Sequence, residues 1–95
     1  MRHSFRLKKA QLKSIFSEKL NIKSVSVENG TDVKNAIDTL LIYSELENLL
    51  FPVECSYNFI NATASFQLEL KPDKDNKEFF EAIRNFETFI ETQTA

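Results

Sequence analysis

The chain is poor in the residues on which most enzymes and metalloproteins depend. Its 95 residues include one glycine, one cysteine, one histidine and two prolines, and no tryptophan. A lone Gly30 cannot build a phosphate-cradling loop, a dinucleotide-binding turn or a nucleophile elbow, which use several glycines where the backbone takes positive φ or closely approaches a ligand. One cysteine cannot close an intramolecular disulfide, and with His3 the only imidazole there is no structural zinc set at paired spacing. His3 also lies beside the start of the chain, where order is poorest, which argues against a triad or metal site built on it. Carboxylates are the remaining metal ligands. Asp73 and Asp75 are close in sequence, but their segment lacks the ligand number and the glycine of a calcium loop, and helix capping accounts for them. The chain is therefore expected to be a non-enzyme with no catalytic residue, cofactor or metal.

Long apolar runs are missing too. No stretch approaches the roughly 18 apolar residues of a membrane span, and Met1-Arg2-His3 is not followed by the apolar core of a signal peptide. With Cys55 read as a reduced, buried thiol, the expectation is a cytoplasmic protein without a membrane partner. Asn61-Ala62-Thr63 matches a glycosylation sequon, but without a secretory context it reads as a turn.

What is present is ordinary globular composition, 42% hydrophobic and 27% charged. Such a chain can bury a core without metal or disulfide, and no repeat or linker divides it, so a single α+β domain over residues 1–95 is expected.

The strongest pattern runs from Val53 to Leu70. Folded back on a two-residue loop at Asn61-Ala62, it opposes Phe59 to Ala64, Tyr57 to Phe66, Cys55 to Leu68 and Val53 to Leu70, all on one face. The other face carries Glu54 opposite Glu69, Ser56 opposite Gln67 and Asn58 opposite Ser65, the pattern of a hairpin with one wet side. Ala62 resists the positive φ of a type I′ turn, so a four-residue loop over Ile60 to Thr63 is the alternative, with the same faces.

Around this hairpin the periodicities place helices. Ala10, Leu12, Ile15, Phe16 and Leu20 predict a helix from about Lys9 to Leu20, and the alternation in residues 3–8 allows a short strand before it. Ile22 to Glu28 alternates again and reads as a strand. Glu28-Asn29-Gly30-Thr31 is a turn signal, with Thr31 as a cap and Asp32 in the first turn of the next helix. That segment, Thr31 to Phe51, changes its apolar face near Tyr43. Val33, Ala36, Ile37, Leu40 and Leu41 form one stripe, while Ile42, Leu46 and Leu49 project roughly opposite. Three readings fit: a kink or break bringing both stripes to one core, a short strand over Thr39 to Ser44, or a straight helix whose second stripe meets a partner. Pro52 ends the segment. After a polar connection, Asp75 and Glu78 form a capping box for a last helix, whose Phe79, Ala82, Ile83, Phe86, Phe89 and Ile90 would cover the hairpin. The expected fold is a two-layer α+β sandwich. Its small, mainly antiparallel sheet has helices on one face, in the order α-β-α-β-β-α, with an optional N-terminal strand.

Charge gives the best functional lead. Residues 1–23 hold seven Lys or Arg against Glu18, a charge of +6, while the other 72 carry −8, so the net −2 hides a strong asymmetry. With no catalytic set, the reading is a non-enzymatic protein-interaction module, such as an adaptor, inhibitor, immunity or chaperone-like protein. Its partner is another protein, a basic one docked on the acidic body, or a second copy of itself as a homodimer, and its interface residues are Ile42, Leu46, Leu49, Glu54 and Glu69. A further reading has the basic helix lie against acidic neighbours of its own or of a second copy, the charges then serving solubility and assembly. Catalysis by Glu54 with Glu69 is disfavoured, because a wet sheet face supplies neither a pocket nor a histidine. The alternative is nucleic-acid binding through Arg2, Arg6, Lys8, Lys9 and Lys13, weakened by the acidic total and the absence of aromatics among the lysines.

Overall fold

The computed structural model describes residues 1–91, so the expected extent of the domain, 1–95, runs four residues beyond the description. The elements are β1 (Arg2–Lys8), α1 (Lys9–Leu20), α2 (Gly30–Tyr43), β2 (Leu50–Asn58), β3 (Thr63–Leu70) and α3 (Asn76–Ile90). The fold is mixed α+β, a three-stranded antiparallel sheet with the order β1-β3-β2 and three helices. The optional N-terminal strand is present.

β3 occupies the centre because both neighbours need it. Its Ala64, Phe66, Leu68 and Leu70 are buried, and β1 sets Leu7, Phe5 and His3 opposite Ala64, Phe66 and Leu68. Phe5 stacks on Phe66 at 5.3 Å between ring centroids, and α3 drives Phe86 edge-on into both, at 5.4 and 6.3 Å. The α3 stripe is as its spacing predicts, with Phe79, Ala82, Ile83 and Phe86 buried and the Asp75–Glu78 capping box formed. These side chains join those of α1 and α2 in one connected apolar cluster.

The register of the hairpin differs from the expected one by two residues. Asn58 faces Thr63 and Tyr57 faces Ala64, so the loop is the four residues Phe59 to Ala62. The Asn58 side chain accepts a 2.9 Å hydrogen bond from the Ile60 amide, an Asx turn that opens the loop two residues early, and Ala62 takes the positive φ of 53°. A second departure lies further down β2. Glu54 and Cys55 together oppose Phe66, a bulge in which Glu54 adopts φ 53°, and beyond it Val53 faces Gln67 and Pro52 faces Leu68. One extra residue exchanges the faces, so Pro52 and Leu50 enter the core where Val53 was expected.

Two further expectations are corrected. Residues 22–28 pair with no strand; they form an extended connection whose Val27 is buried and whose Ile22 and Val25 are half-buried. Alternation alone cannot supply a ladder partner, and both strands beside β3 are already β1 and β2. The long helical segment stops at Tyr43. Glu45 turns left-handed at φ 62°, the Leu46 amide reaches back to the Leu41 carbonyl, and Leu46 enters the core at 5% exposure. Of the three readings of this segment, the break is the one found. The cap of α2 is Asn29, which accepts from the Asp32 amide, rather than Thr31. Pro52 lies within β2 instead of before it. β2 is an edge strand, and the bond from the Lys71 amide to the Leu49 carbonyl sets an alternation that turns the amide-less nitrogen of Pro52 away from β3.

Candidate interaction surfaces

The two edges of the sheet differ. Along β2 the outward side is interrupted by Pro52 and by the Glu54–Cys55 bulge, and the N-terminus of α2 presses on that bulge at Gly30. β1 has no such protection. The Leu70 amide donates to the Met1 carbonyl and the Lys9 amide to the Ala62 carbonyl, so odd-numbered residues of β1 bond to β3. By the alternation of an antiparallel ladder, Arg2, Ser4, Arg6 and Lys8 turn their N–H and C=O groups outward. Gln11 takes up the Lys8 amide at 2.9 Å. No strand lies beyond Arg2, Ser4 and Arg6 among the described residues.

Beside the first half of this edge runs a groove of about 460 Å³ between β1 and α3, lined by Met1, His3, Phe79, Phe80, Ile83 and Arg84 among others. Met1 and Phe80 are 51% and 65% exposed there. At the other end of β1 the hairpin loop projects Phe59 and Ile60, exposed by 80% and 83%. A small cleft of about 280 Å³ opens beneath the loop, lined by Arg6, Lys8, Gln11, Asn61 and Thr63. The Lys8 ammonium donates to the Asn61 carbonyl at 3.3 Å and so ties the cleft to the loop.

The residues singled out from sequence separate into distinct environments. Ile42, Leu46 and Leu49 form no common stripe. Ile42 is 58% exposed next to Tyr43, Leu46 is buried and Leu49 is half-buried, because the helix ends between them. Glu54 and Glu69 do not oppose each other either. The bulge displaces Glu54, while Glu69 faces Arg2 on one side and Phe51 on the other and forms an ion pair with Arg2. That hydrogen bond and charge raise the affinity of the Arg2 guanidinium for its proton. Of the five expected cations, Lys9 is also engaged, with Glu28 at 3.6 Å and over the Tyr57 ring at 5.9 Å. Only Arg6 and Lys8 share a cleft, and Lys13 is exposed on α1.

The surfaces missed in the sequence are the apolar loop tip and the β1–α3 groove. The tip could have been found from Asn58, whose Asx-turn chemistry starts a loop before Phe59. The groove carries no local signal, since it joins residues from opposite ends of the chain.

Chemically these surfaces offer outward backbone groups, apolar side chains and the cations of Arg6 and Lys8. No group of three or more metal-ligating side chains gathers among the described residues. Cys55 is half-buried, and burial first and the Asp38 carboxylate second raise its thiol pKa, against a smaller lowering by Lys34, which makes it a poorer nucleophile. No helix among the described residues is long and apolar enough to cross a membrane. Comparison of the chain with protein-family models, curated proteins and solved structures returned no match.

Proposed function

We propose that this chain is a non-enzymatic protein-interaction module, an adaptor or inhibitor that takes an extended, acidic segment of another protein onto the free edge of β1. The observation that carries the reading is the outward-facing backbone of Arg2, Ser4 and Arg6 beside the apolar β1–α3 groove. Strand addition draws affinity from main-chain hydrogen bonds and selectivity from pockets for alternate side chains, and this edge offers both. The sign of the partner follows from Arg6 and Lys8 on the open side of the strand, Arg2 being paired with Glu69.

The same charges disfavour a homodimer at this edge. Antiparallel self-pairing through the outward-facing residues places Arg2 opposite Arg6, or Arg2 opposite Lys8, or Arg6 opposite itself, depending on register. Each arrangement sets like charges face to face. The nucleic-acid alternative is weakened by the engagement of Arg2 and Lys9 with carboxylates.

The test uses a synthetic peptide of alternating glutamate and valine, with a lysine–valine peptide as control. Expected are binding of the acidic peptide alone, with Kd no weaker than about 1 mM, and slowed hydrogen exchange at the amides of Ser4 and Arg6. Ser4→Pro removes one outward donor and spares the ladder with β3, so it should abolish binding in a folded protein. Equal binding by Ser4→Pro, or no binding of the acidic peptide, would refute the reading.

A further inference from the structure

The hairpin tip has no place in strand addition, yet it is the most exposed apolar feature among the described residues. Phe59 and Ile60 are adjacent, belong to no helix or strand, and stand 80% and 83% clear of the protein. Isolated exposed apolar side chains are commonplace, but this pair crowns a loop whose surroundings carry charge of one sign. The segments that build this end of the molecule, residues 1–17 and 55–68, contain no Asp or Glu, whereas Arg6, Lys8, Lys9 and Lys13 all fall within them. Two acids approach them, Glu28, which pairs with Lys9, and Glu54, which lines a separate cleft with Arg6 on the sheet face. Arg6 and Lys8 line the cleft directly under the loop, with the amide side chains of Gln11 and Asn61 and the hydroxyl of Thr63 around them.

We propose that this end of the protein docks on an anionic lipid bilayer. Phe59 and Ile60 enter the headgroup–acyl boundary, and Arg6 and Lys8 receive lipid phosphates in the cleft. An apolar tip above a cationic collar matches the two layers of such a surface in order of depth. A nucleic acid would use the cations but leave Ile60 without a stacking partner, and an apolar protein groove would use the tip but leave the cations unmatched. The expectation of no membrane partner rested on the want of a spanning segment, which governs crossing a bilayer and not resting on one.

Each basic residue near an anionic surface strengthens binding by roughly fivefold, so Arg6 and Lys8 together account for about twenty-five-fold. The chain lacks tryptophan, so Phe59→Trp places a single reporter at the tip. Expected are a blue shift and enhanced emission with vesicles of phosphatidylcholine containing about 30% phosphatidylserine, and little change with phosphatidylcholine alone. Co-sedimentation of the unlabelled protein should follow the same order. Arg6→Gln with Lys8→Gln should weaken binding by about twenty-five-fold. Phe59→Ser with Ile60→Ser should weaken it at least tenfold without moving the unfolding midpoint, because both side chains are already in water. The proposal is overturned if the reporter ignores anionic vesicles, if neutral vesicles bind equally well, or if the tip variant binds like the wild type. It is also overturned if a single-stranded oligonucleotide binds through Arg6 and Lys8 while vesicles do not bind.

Discussion

Replacement of the only glycine by alanine should destabilise the fold, although alanine is the better helix former. Gly30 is the first residue of α2, after the Asn29 cap, and does not take positive φ. Its role is close approach. A Cβ built on Gly30 would lie 2.6 Å from the Cys55 carbonyl oxygen, 3.4 Å from its carbon and 3.6 Å from the Ser56 Cα. These atoms are backbone, so no side chain can swing aside. Relief requires α2 and β2 to part by roughly 0.8 Å at the bulge, although both elements bury side chains in the core, Val33 and Ala36 from α2 and Leu50 and Pro52 from β2. Overpacking of this kind costs about 1–3 kcal/mol. Opposing it is the helix preference for alanine, at most about 1 kcal/mol and less at a helix end, a figure that already contains the smaller entropy of the unfolded chain. The net expectation is a loss of roughly 1 kcal/mol, and up to about 2 kcal/mol if the helix terminus gains little. That corresponds to a fall in Tm of roughly 4–15 °C for a domain of this size. Urea unfolding followed by circular dichroism should give a lower midpoint at unchanged slope. A Gly30→Ala protein as stable as the wild type, or more so, would refute the argument that this glycine exists to let α2 touch the bulge.

Phe86, fully buried against Phe5 and Phe66, should cost about 3–5 kcal/mol on truncation to alanine, and a urea-derived loss below about 1 kcal/mol would contradict its place in the core. Ala62→Gly should stabilise by about 0.5–1 kcal/mol, because Ala62 holds φ 53° against its side chain; thermal unfolding of the variant checks this. Cys55 keeps its proton above the ordinary thiol range, so stability contributed by the protonated thiol is complete below the unfolded-state pKa and is lost as pH rises through the higher folded-state value. Alkylation by iodoacetamide should accordingly be slower than for an unstructured cysteine, and a urea midpoint that falls in alkaline solution should fall less in Cys55→Ser. Arg6→Thr with Lys8→Thr removes the like-charge opposition at the β1 edge and should promote self-association, seen by light scattering as a concentration-dependent rise in mass. Adding Ser4→Pro should restore the monomer.

Elements whose residues act within one turn or one strand were legible. The bounds of α1, the capping box and buried stripe of α3 and the apolar face of β3 follow from spacing alone, because each is set by neighbours at i+2, i+3 or i+4. The exceptions depend on conformations that the residue type does not announce. Glu54 and Glu45 both take positive φ, which favours glycine or asparagine, and each redirects the chain: one exchanges the faces of β2, the other brings Leu46 into the core. The segment 22–28 failed for another reason, since a strand needs a partner and alternation records only burial. At the surfaces, the basic character of the N-terminal quarter was visible, but not the pairing of Arg2 with Glu69 and Lys9 with Glu28, which leaves Arg6 and Lys8 to share a cleft.

The charge asymmetry acquires its meaning from where β1 lies. Had this strand been central, Arg2, Arg6 and Lys8 would flank covered backbone, and their charge would serve solubility alone. At the edge they stand over N–H and C=O groups that have no strand beyond them among the described residues, and a cationic edge is also a common guard against aggregation. Guarding and docking are the same physics applied to partners of different sign: cations that would oppose a second copy of β1 would attract the acidic strand proposed for this edge. The other edge shows what exclusion of all partners requires, namely Pro52, a bulge and a helix pressed onto it at Gly30. β1 carries none of these devices among the described residues, and in the proposed reading its charges select among partners instead of refusing them. The remainder of the chain is negative chiefly through Glu28, Glu45, Glu47, Glu54, Glu69 and Glu91, with α2 and α3 adding a net charge of about −1 each, so the anionic partner proposed for β1 is expected to associate at a rate that falls as salt rises.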